Sequence, residues 1–354
     1  NGYTISNFVI NKTGVDYVGL FGYVNNTRIS NLTLSDLTIT GRQYTGGVAG
    51  CTAGTSTIQN CAVKGASSVT GTASVGGMVG QAAGTVDRCS SEANVTLTGT
   101  GNYCGGLIGQ SGANVYNSYA AGDVTSGGSY VGGLIGTIGT GSLNVTECYS
   151  TGNVSGGDRV GGLLGYLNGA GTILGNCFSL GSVTAPGNKY VGGLLGCFNS
   201  GTIRYCYAAG IINGSGSYVG GLVGGGGIIT SCYYDAIASE YIPKKASDTG
   251  KLTSGMKAQA TYTGWEFSSV WAIDEGDSYP YLRNVEKPSK VNEGLPTGEV
   301  TSGNGTASNP YIVTTKEQLN SLRYDLTGNY ILGADIDFEG SEWEPVGNNG
   351  VPFT

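Results

Sequence analysis

The sequence predicts an all-β fold, a right-handed parallel β-helix of about eight to ten coils closed by a mixed α/β capping segment. Three observations carry the prediction. A glycine-rich apolar cassette returns eight times, its copies are almost evenly spaced, and the segments between them are short β-prone runs without helical periodicity. The cassettes are Val18-Gly-Leu-Phe-Gly22, Gly46-Gly-Val-Ala-Gly50, Val75-Gly-Gly-Met-Val-Gly80, Cys104-Gly-Gly-Leu-Ile-Gly109, Val131-Gly-Gly-Leu-Ile-Gly136, Val160-Gly-Gly-Leu-Leu-Gly165, Val191-Gly-Gly-Leu-Leu-Gly196 and Val219-Gly-Gly-Leu-Val-Gly224. Their closing glycines, at 22, 50, 80, 109, 136, 165, 196 and 224, lie 28, 30, 29, 27, 29, 31 and 28 residues apart. A period of this size marks a stacked array in which each unit buries its apolar face against the next.

Composition narrows the class. The 354 residues include 66 glycines without a three-residue period, which excludes collagen. Only 12% are charged and 39% are hydrophobic, so the chain packs rather than remaining disordered. The net charge is −7 and no basic stripe is present, which argues against nucleic acid as a partner. No apolar run is long enough to span a membrane. Histidine is absent, which removes Ser-His-Asp hydrolysis, HExxH zinc proteolysis and His-ligated metals. A chain that starts at Asn1 reads as a mature or excised segment.

Residues 130–158 illustrate one coil. Tyr130-Val131 leads into Gly132, Gly133, Leu134, Ile135 and Gly136, a glycine- and serine-rich turn follows, then the β-prone run Leu143 to Tyr149, then Asn153-Val154. Two or three short strands separated by turn residues fit one circuit of a solenoid. Equivalent strands of successive coils would pair in parallel about 4.8 Å apart, so eight coils would rise about 40 Å. Parallel crossovers of this kind are right-handed.

Within the cassette, Leu134 and Ile135 are adjacent and would point to opposite faces of a regular strand. A corner or bulge at Gly132-Gly133 would turn both inward. An outer ridge covered by another segment is the alternative, and the corner is favoured because glycine pairs mark such bends.

A second column lies further along each coil: Cys61, Cys89, Ser118, Cys148, Cys177, Cys206 and Cys232, followed in several coils by an aromatic (Tyr119, Tyr149, Phe178, Tyr207, Tyr233). Cysteine there acts as a small buried hydrophobe. Free thiols are favoured over disulfides, because parallel neighbouring side chains rarely meet the required dihedral. Bridges across one coil, Cys51 to Cys61 or Cys197 to Cys206, remain the alternative. No CxxC pair points to zinc.

The repeats stop near Tyr234, which divides the chain into a solenoid at 1–234, a cap at 235–285, a linker at 286–300 and a further segment at 301–354. Trp265, Phe267 and Trp271 read as a plug over the last coil, with a short helix over Ser254 to Ala260. Residues 286–300 are polar with two prolines. In the last segment Thr314-Thr-Lys-Glu317 fits a capping box, Leu319, Leu322 and Leu326 give an amphipathic helix, and Tyr330-Ile-Leu and Ile336-Asp-Phe338 look like strands.

The cassette, with strands of the Asn-Cys-Tyr-Ser-Thr-Gly-Asn-Val type, resembles the GLUG repeat family over residues 16–234. Met256 to Arg283 is similar to the closing segment of that family, and Gly303 to Thr354 to its opening segment. The resemblance implies a secreted or cell-surface repeat protein of the kind found in adhesins and in the non-catalytic parts of IgA-cleaving metalloproteases. In that family the opening segment precedes the coils, whereas here it follows them. The chain therefore reads as one period of a tandem array, or as a subunit whose residues 301–354 dock on residues 1–40 of a neighbour.

The function expected is a non-enzymatic extracellular structural module: a stalk, an adhesin shaft or a filament subunit assembling head to tail. A surface adhesin binding a host glycan or protein is the alternative. A polysaccharide-degrading β-helix enzyme ranks lower, since the coil acids Asp36, Asp87, Glu92, Asp123, Glu147 and Asp158 share no register, with Asp123 and Asp158 the pair most open to being drawn together. No catalytic residue, metal or cofactor is assigned. Ice binding would need a regular Thr-x-Thr face, and Thr38-Ile-Thr40 and Thr96-Leu-Thr98 stand isolated. Candidate N-glycosylation sequons begin at Asn11, Asn25, Asn31, Asn94, Asn144, Asn153, Asn213 and Asn304.

Overall fold

A computed structural model describes residues 3–346 except 188–189, 228, 243–248, 293–298, 301, 304, 326–327, 341 and 344. The chain forms two compact units. The first comprises Asn1–Cys232 with Asn284–Glu286, the second Tyr233–Arg283 with Lys287–Thr354.

The first unit is a parallel β-solenoid of about eight turns, one for each cassette. Successive coils meet through parallel ladders on three sheets, the first coil joining the seven-stranded one only by the bridge of Val18 to Thr45. One sheet has eight strands, among them Val9–Asn11, Thr38–Thr40, Asn94–Leu97 and Ile212–Gly214. A second has seven, among them Ser129–Gly132 and Asp158–Gly161. The third collects the longer strands that follow the cassettes, such as Ile108–Tyr116 and Leu164–Ser179. Like residues stack in register: Val75, Cys104, Val131, Val160, Val191 and Val219 form one internal column, all but Val219 fully buried.

The cassette is the corner between the second and third sheets. Ser129–Gly132 ends at the glycine pair and Ile135–Ile138 begins the next sheet, so Leu134 and Ile135 are both buried, at 0% and 1% exposure. The glycines serve close approach rather than an unusual φ. A Cβ on Gly133 would lie 2.0 Å from the Gly162 carbonyl oxygen, and one on Gly136 would lie 2.5 Å from the Gly109 carbonyl and 2.6 Å from the Cys104 nitrogen. Backbone meets backbone there, so no rotamer change would relieve a methyl group.

One left-handed position that recurs in every coil falls on other residues. Asn31, Asn60, Arg88, Asn117, Glu147, Asn176, Tyr205 and Ser231 all have φ between 48° and 56°, one per coil. Asparagine tolerates this region best, and it holds four of the eight positions.

The second unit mixes short elements: α1 (Thr253–Met256), a 3₁₀ turn at Gln259–Thr261, antiparallel strands Trp271–Ala272 and Tyr281–Leu282, α2 (Lys316–Ser321), and parallel strands Tyr311–Val313 and Tyr330–Leu332. The helix expected over Ser254 to Ala260 is thus one α turn followed by a 3₁₀ turn. The α2 cap sits one residue later than the capping box predicted. The Thr315 side chain accepts from the Gln318 amide, while Gln318 Oε1 accepts from the Thr314 amide at 2.8 Å. Leu326 lies outside the described residues, and Ile336 to Phe338 form no strand.

The cap, the end of the linker and the last segment pack together. Leu252, Val300, Tyr311, Val313 and Leu322 share one buried cluster, and Val291 is buried on the 3₁₀ turn Ser289–Asn292. Residues 286–300 read as a polar linker, yet among the described residues Val291 and Val300 are fully buried.

Candidate functional site

The chemistry-bearing side chains of the first unit are arranged in columns along its wall. In the cysteine column, a left-handed residue precedes each cysteine and turns the chain, and the carbonyl two positions before the cysteine accepts a backbone amide of the preceding coil, as Gln59 does from Asn31 at 3.1 Å and Asp87 from Asn60 at 3.0 Å. The thiol caps that carbonyl: Cys61 donates to Gln59 at 3.3 Å, Cys89 to Asp87 at 3.3 Å, and Cys148, Cys177, Cys206 and Cys232 to Thr146, Gly175, Arg204 and Thr230, each at 3.2 Å. Ser118 does the same with its hydroxyl, donating to Tyr116 at 2.6 Å. All nine cysteines are free thiols, and only Cys197 is not buried. Burial pushes Cys104 up to about 12 and holds Cys89 and Cys177 well above the ordinary thiol value. Contact with the neighbouring Cys89 thiol lowers Cys61 to about 7. Thiols so enclosed are packing groups, not nucleophiles.

Next to them runs an aromatic column. Tyr119, Tyr149, Phe178 and Tyr207 stack face to face at 4.8, 4.9 and 5.0 Å, within 13° of parallel. Residues 284–286 lie across this column. Tyr119 donates its phenol to the Glu286 carboxylate at 2.7 Å, Tyr149 donates to the Glu286 carbonyl at 2.8 Å, and Asn284 donates to Glu147 at 3.1 Å. In earlier coils the column narrows to Ala62 and Ser90, which leaves a groove of about 380 Å³ beside Cys61 and Cys89.

A second aromatic column precedes the cassette valines. Tyr190 and Tyr218 stack at 4.7 Å, and Tyr103 and Tyr130 sit 5.3 Å apart. Arg159 takes a ring's place between them, its guanidinium 5.0 Å from Tyr130 and 5.3 Å from Tyr190. Rings stacked on one another offer a ligand mainly their edges, so these columns serve cohesion between coils rather than sugar stacking.

The coil acids are engaged one by one. Asp36 accepts from the Ala66 amide, Glu92 from Gly65, Asp123 from Asn153, Asp87 from Gln59, and Glu147 from Asn284, while Asp158 pairs with Arg159. Asp123 and Asp158 therefore have different partners. Asn94, Asp123 and Asn153 form a ladder in which each side-chain oxygen accepts the backbone amide of the next coil, at 3.0, 2.8 and 3.1 Å.

Of the sequon asparagines, Asn11, Asn25, Asn31, Asn94, Asn153 and Asn213 are exposed and Asn144 is half-buried, while Asn304 lies outside the described residues. Thr40 and Thr96, isolated in sequence, belong to one register column that runs Thr40, Thr70, Thr96, Thr125, Ser155 and Thr184. Sequence inspection missed it because the flanking spacing varies from coil to coil.

The second unit holds a buried acid pair that the sequence did not flag. Asp235 accepts from the Tyr279 phenol at 2.7 Å and the Ala238 amide at 2.8 Å. Glu299 accepts from the Ser254 amide and hydroxyl at 3.1 and 2.8 Å, and its second oxygen has no hydrogen-bond partner among the described residues. Burial raises both carboxyls, Glu299 to about 7. The same unit carries a groove of about 910 Å³ lined by Glu240, Glu317, Glu342, Asn320, Arg323 and Trp343, among others. Among the described residues no three metal-ligating side chains converge, and no helix is long and apolar enough to cross a membrane.

No family model matches the chain. It is 34% identical over 179 residues to a protein of Evansella cellulosilytica assigned by name as a Gly-rich membrane protein, covering 46% of this chain and 20% of that one. It is 33% identical over 138 residues to halomucin of Haloquadratum walsbyi, covering 31% of this chain and 1% of halomucin. The chain thus spans a fifth or less of the length of these relatives. A Bacteroides ovatus structure, assigned by name as an immunoglobulin A1 protease, aligns over 80% of this chain and 87% of its own at a TM-score of 0.43 and 19% identity.

Proposed function

We propose that this chain is a non-enzymatic structural repeat module of a secreted or cell-surface protein, of the GLUG-repeat kind, acting as a shaft, stalk or filament subunit. The observation that carries the reading is how the polar and aromatic groups of the coils are used. Thiols, rings, carboxylates and asparagines are spent holding one coil to the next or capping backbone, and no carboxylate pair faces a substrate-sized cleft among the described coil residues. The names of the two relatives, a Gly-rich membrane protein and a halomucin, support a surface setting. Single-molecule pulling tests the reading. A load-bearing solenoid yields serial steps of about 10 nm, one coil each. Turnover of any member of a polysaccharide and protein substrate panel would overturn it.

The alternative, a glycan- or protein-binding adhesin, is favoured by the groove around Trp343, where an indole, three glutamates, an asparagine and an arginine meet. Glycan-array binding abolished by Trp343→Ala would establish it.

A further inference from the structure

The aromatic column of the first unit ends in a slot that its own side chains do not fill. One register column runs Thr33, Ala62, Ser90, Tyr119, Tyr149 and Phe178. Tyr149 and Phe178 each have a ring on both faces. Tyr119 is the end ring. It stacks on Tyr149 at 4.8 Å on one side, and on the other its neighbours in register are the small side chains of Ser90 and Ala62. Successive rungs lie about 4.8 Å apart, so these two positions leave about 10 Å of the column without a ring. Tyr119 is 8% exposed, against 2% and 0% for Tyr149 and Phe178 behind it.

That space is the groove of about 380 Å³, within the range of about 300–1,000 Å³ common to small-molecule sites. Its lining is polar and held in place. Arg88 donates to Asn60 at 2.9 Å and pairs with Asp87, and Asn117 donates to Asp87 at 3.2 Å. Glu286 is tied to the Tyr119 phenol at 2.7 Å, and Asn284 to Glu147 at 3.1 Å. Lys64 lies two residues after Ala62 on the same strand, so both project to one face. It is exposed, lines the groove, and forms no ion pair among the described residues.

A ring seated here meets an aromatic face on one side and hydrogen-bonding groups around its edge. The surroundings carry both charge signs, Lys64 and Arg88 beside Asp87 and Glu286, which favours hydroxyls that donate and accept over a group of one charge. A pyranose has that form, with an apolar C–H face and hydroxyls about its circumference. We propose that the slot beyond Tyr119 binds a neutral pyranose unit of a glycan, stacked on Tyr119 where Ser90 and Ala62 supply no ring. Within the column both faces of each ring are taken, and at this end one face is open. The inference goes beyond the structural-module reading and concerns a different site from the Trp343 groove.

Calorimetric titration of the full chain with neutral tetrasaccharides of gluco, manno and galacto configuration tests it. At least one is expected to bind saturably. Ser90→Tyr, which places a ring in the slot, is expected to abolish binding. Lys64→Ala, at an exposed position, is expected to weaken it about tenfold, and Trp343→Ala to leave it unchanged. Circular dichroism is the folding control, and Lys64→Ala keeps the test if Ser90→Tyr does not fold. The proposal is overturned if no tetrasaccharide binds, if either folded groove variant leaves binding unchanged, or if only Trp343→Ala removes it. Tighter binding of N-acetyltyrosinamide or of tetragalacturonate than of every neutral sugar also overturns it, because the slot would then take an aromatic side chain or an acid. None of these outcomes alters the stepwise pulling response, so failure of the site and failure of the module reading are separable.

Discussion

The hydroxyl of Ser118 accepts the backbone amide of Cys89 from the preceding coil at 3.0 Å while donating to Tyr116 in its own coil at 2.6 Å. The Cys232 sulfur takes the Cys206 amide in the same manner at 3.4 Å. The column thus selects a small side chain that both donates and accepts, which explains serine among cysteines better than hydrophobicity does.

Cys177→Ser should therefore cost less than Cys177→Ala. Serine keeps a donor for the Gly175 carbonyl, while alanine removes that donor and opens a small void, a loss of about 1–3 kcal/mol. Denaturant midpoints of the two variants check the order, and equal midpoints would discount the capping role.

Thiol labelling of the native chain should be confined to Cys197. It is the one half-exposed cysteine, whereas Cys61, lowered to about 7, is 1% exposed. Mass spectrometry after brief alkylation should show one modified site, with the rest reacting only on unfolding. Rapid modification of Cys61 would mean that acidity outweighs enclosure.

Gly133→Ala should be among the most damaging single-methyl changes in the chain. Its Cβ has no room against the Gly162 carbonyl, so the cost is about 3 kcal/mol or more. Gly139→Ala is the control, with nothing within 4 Å of its Cβ, and should shift stability by about 0.5 kcal/mol or less. Matched thermal melts of the two decide it.

Phe178→Ala should cost about 3–5 kcal/mol, since it removes a fully buried ring stacked on both sides. Tyr149→Phe keeps the stack and loses only the bond to the Glu286 carbonyl, about 1 kcal/mol. Reversal of this order would place the cohesion in the contact with residues 284–286 rather than in the rings.

The second unit should be more stable in mild acid. Glu299 rises from 4.5 to about 7 on folding, so the folded state binds the extra proton. Stability is therefore fully present below about pH 4.5 and lost as pH rises through about 7, a change on the order of 3 kcal/mol. Asp235, also raised, acts in the same sense. Hydrogen exchange at Leu252 and Tyr311 should slow from pH 8 to pH 5 after correction for intrinsic rates, and Glu299→Gln should flatten the difference.

Much of the first unit was legible because a solenoid places residue i beside a residue about 29 positions away, so sequence period becomes spatial contact. The glycine cassette, the cysteine column and the aromatics after it were all readable on that basis. The segment at residues 284–286 was not. Tyr119 and Glu286 are 167 positions apart, and no period relates them. The hydroxyl column through Thr40 and Thr96 was hidden because turns of unequal length shift its sequence register while the backbone ladder keeps its spatial one.

The sequence alone determined that the coils stack, because repeated apolar and glycine positions bury only against their own copies. Tertiary structure alone decided how the cassette turns and where the later segments pack. At Gly133 and Gly136 the deciding quantity is backbone-to-backbone distance, which no side-chain pattern encodes. Val300, Tyr311 and Leu322 join Leu252 because a short chain must bury its few apolar residues wherever it finds others, and that choice follows from three-dimensional proximity rather than from order along the chain.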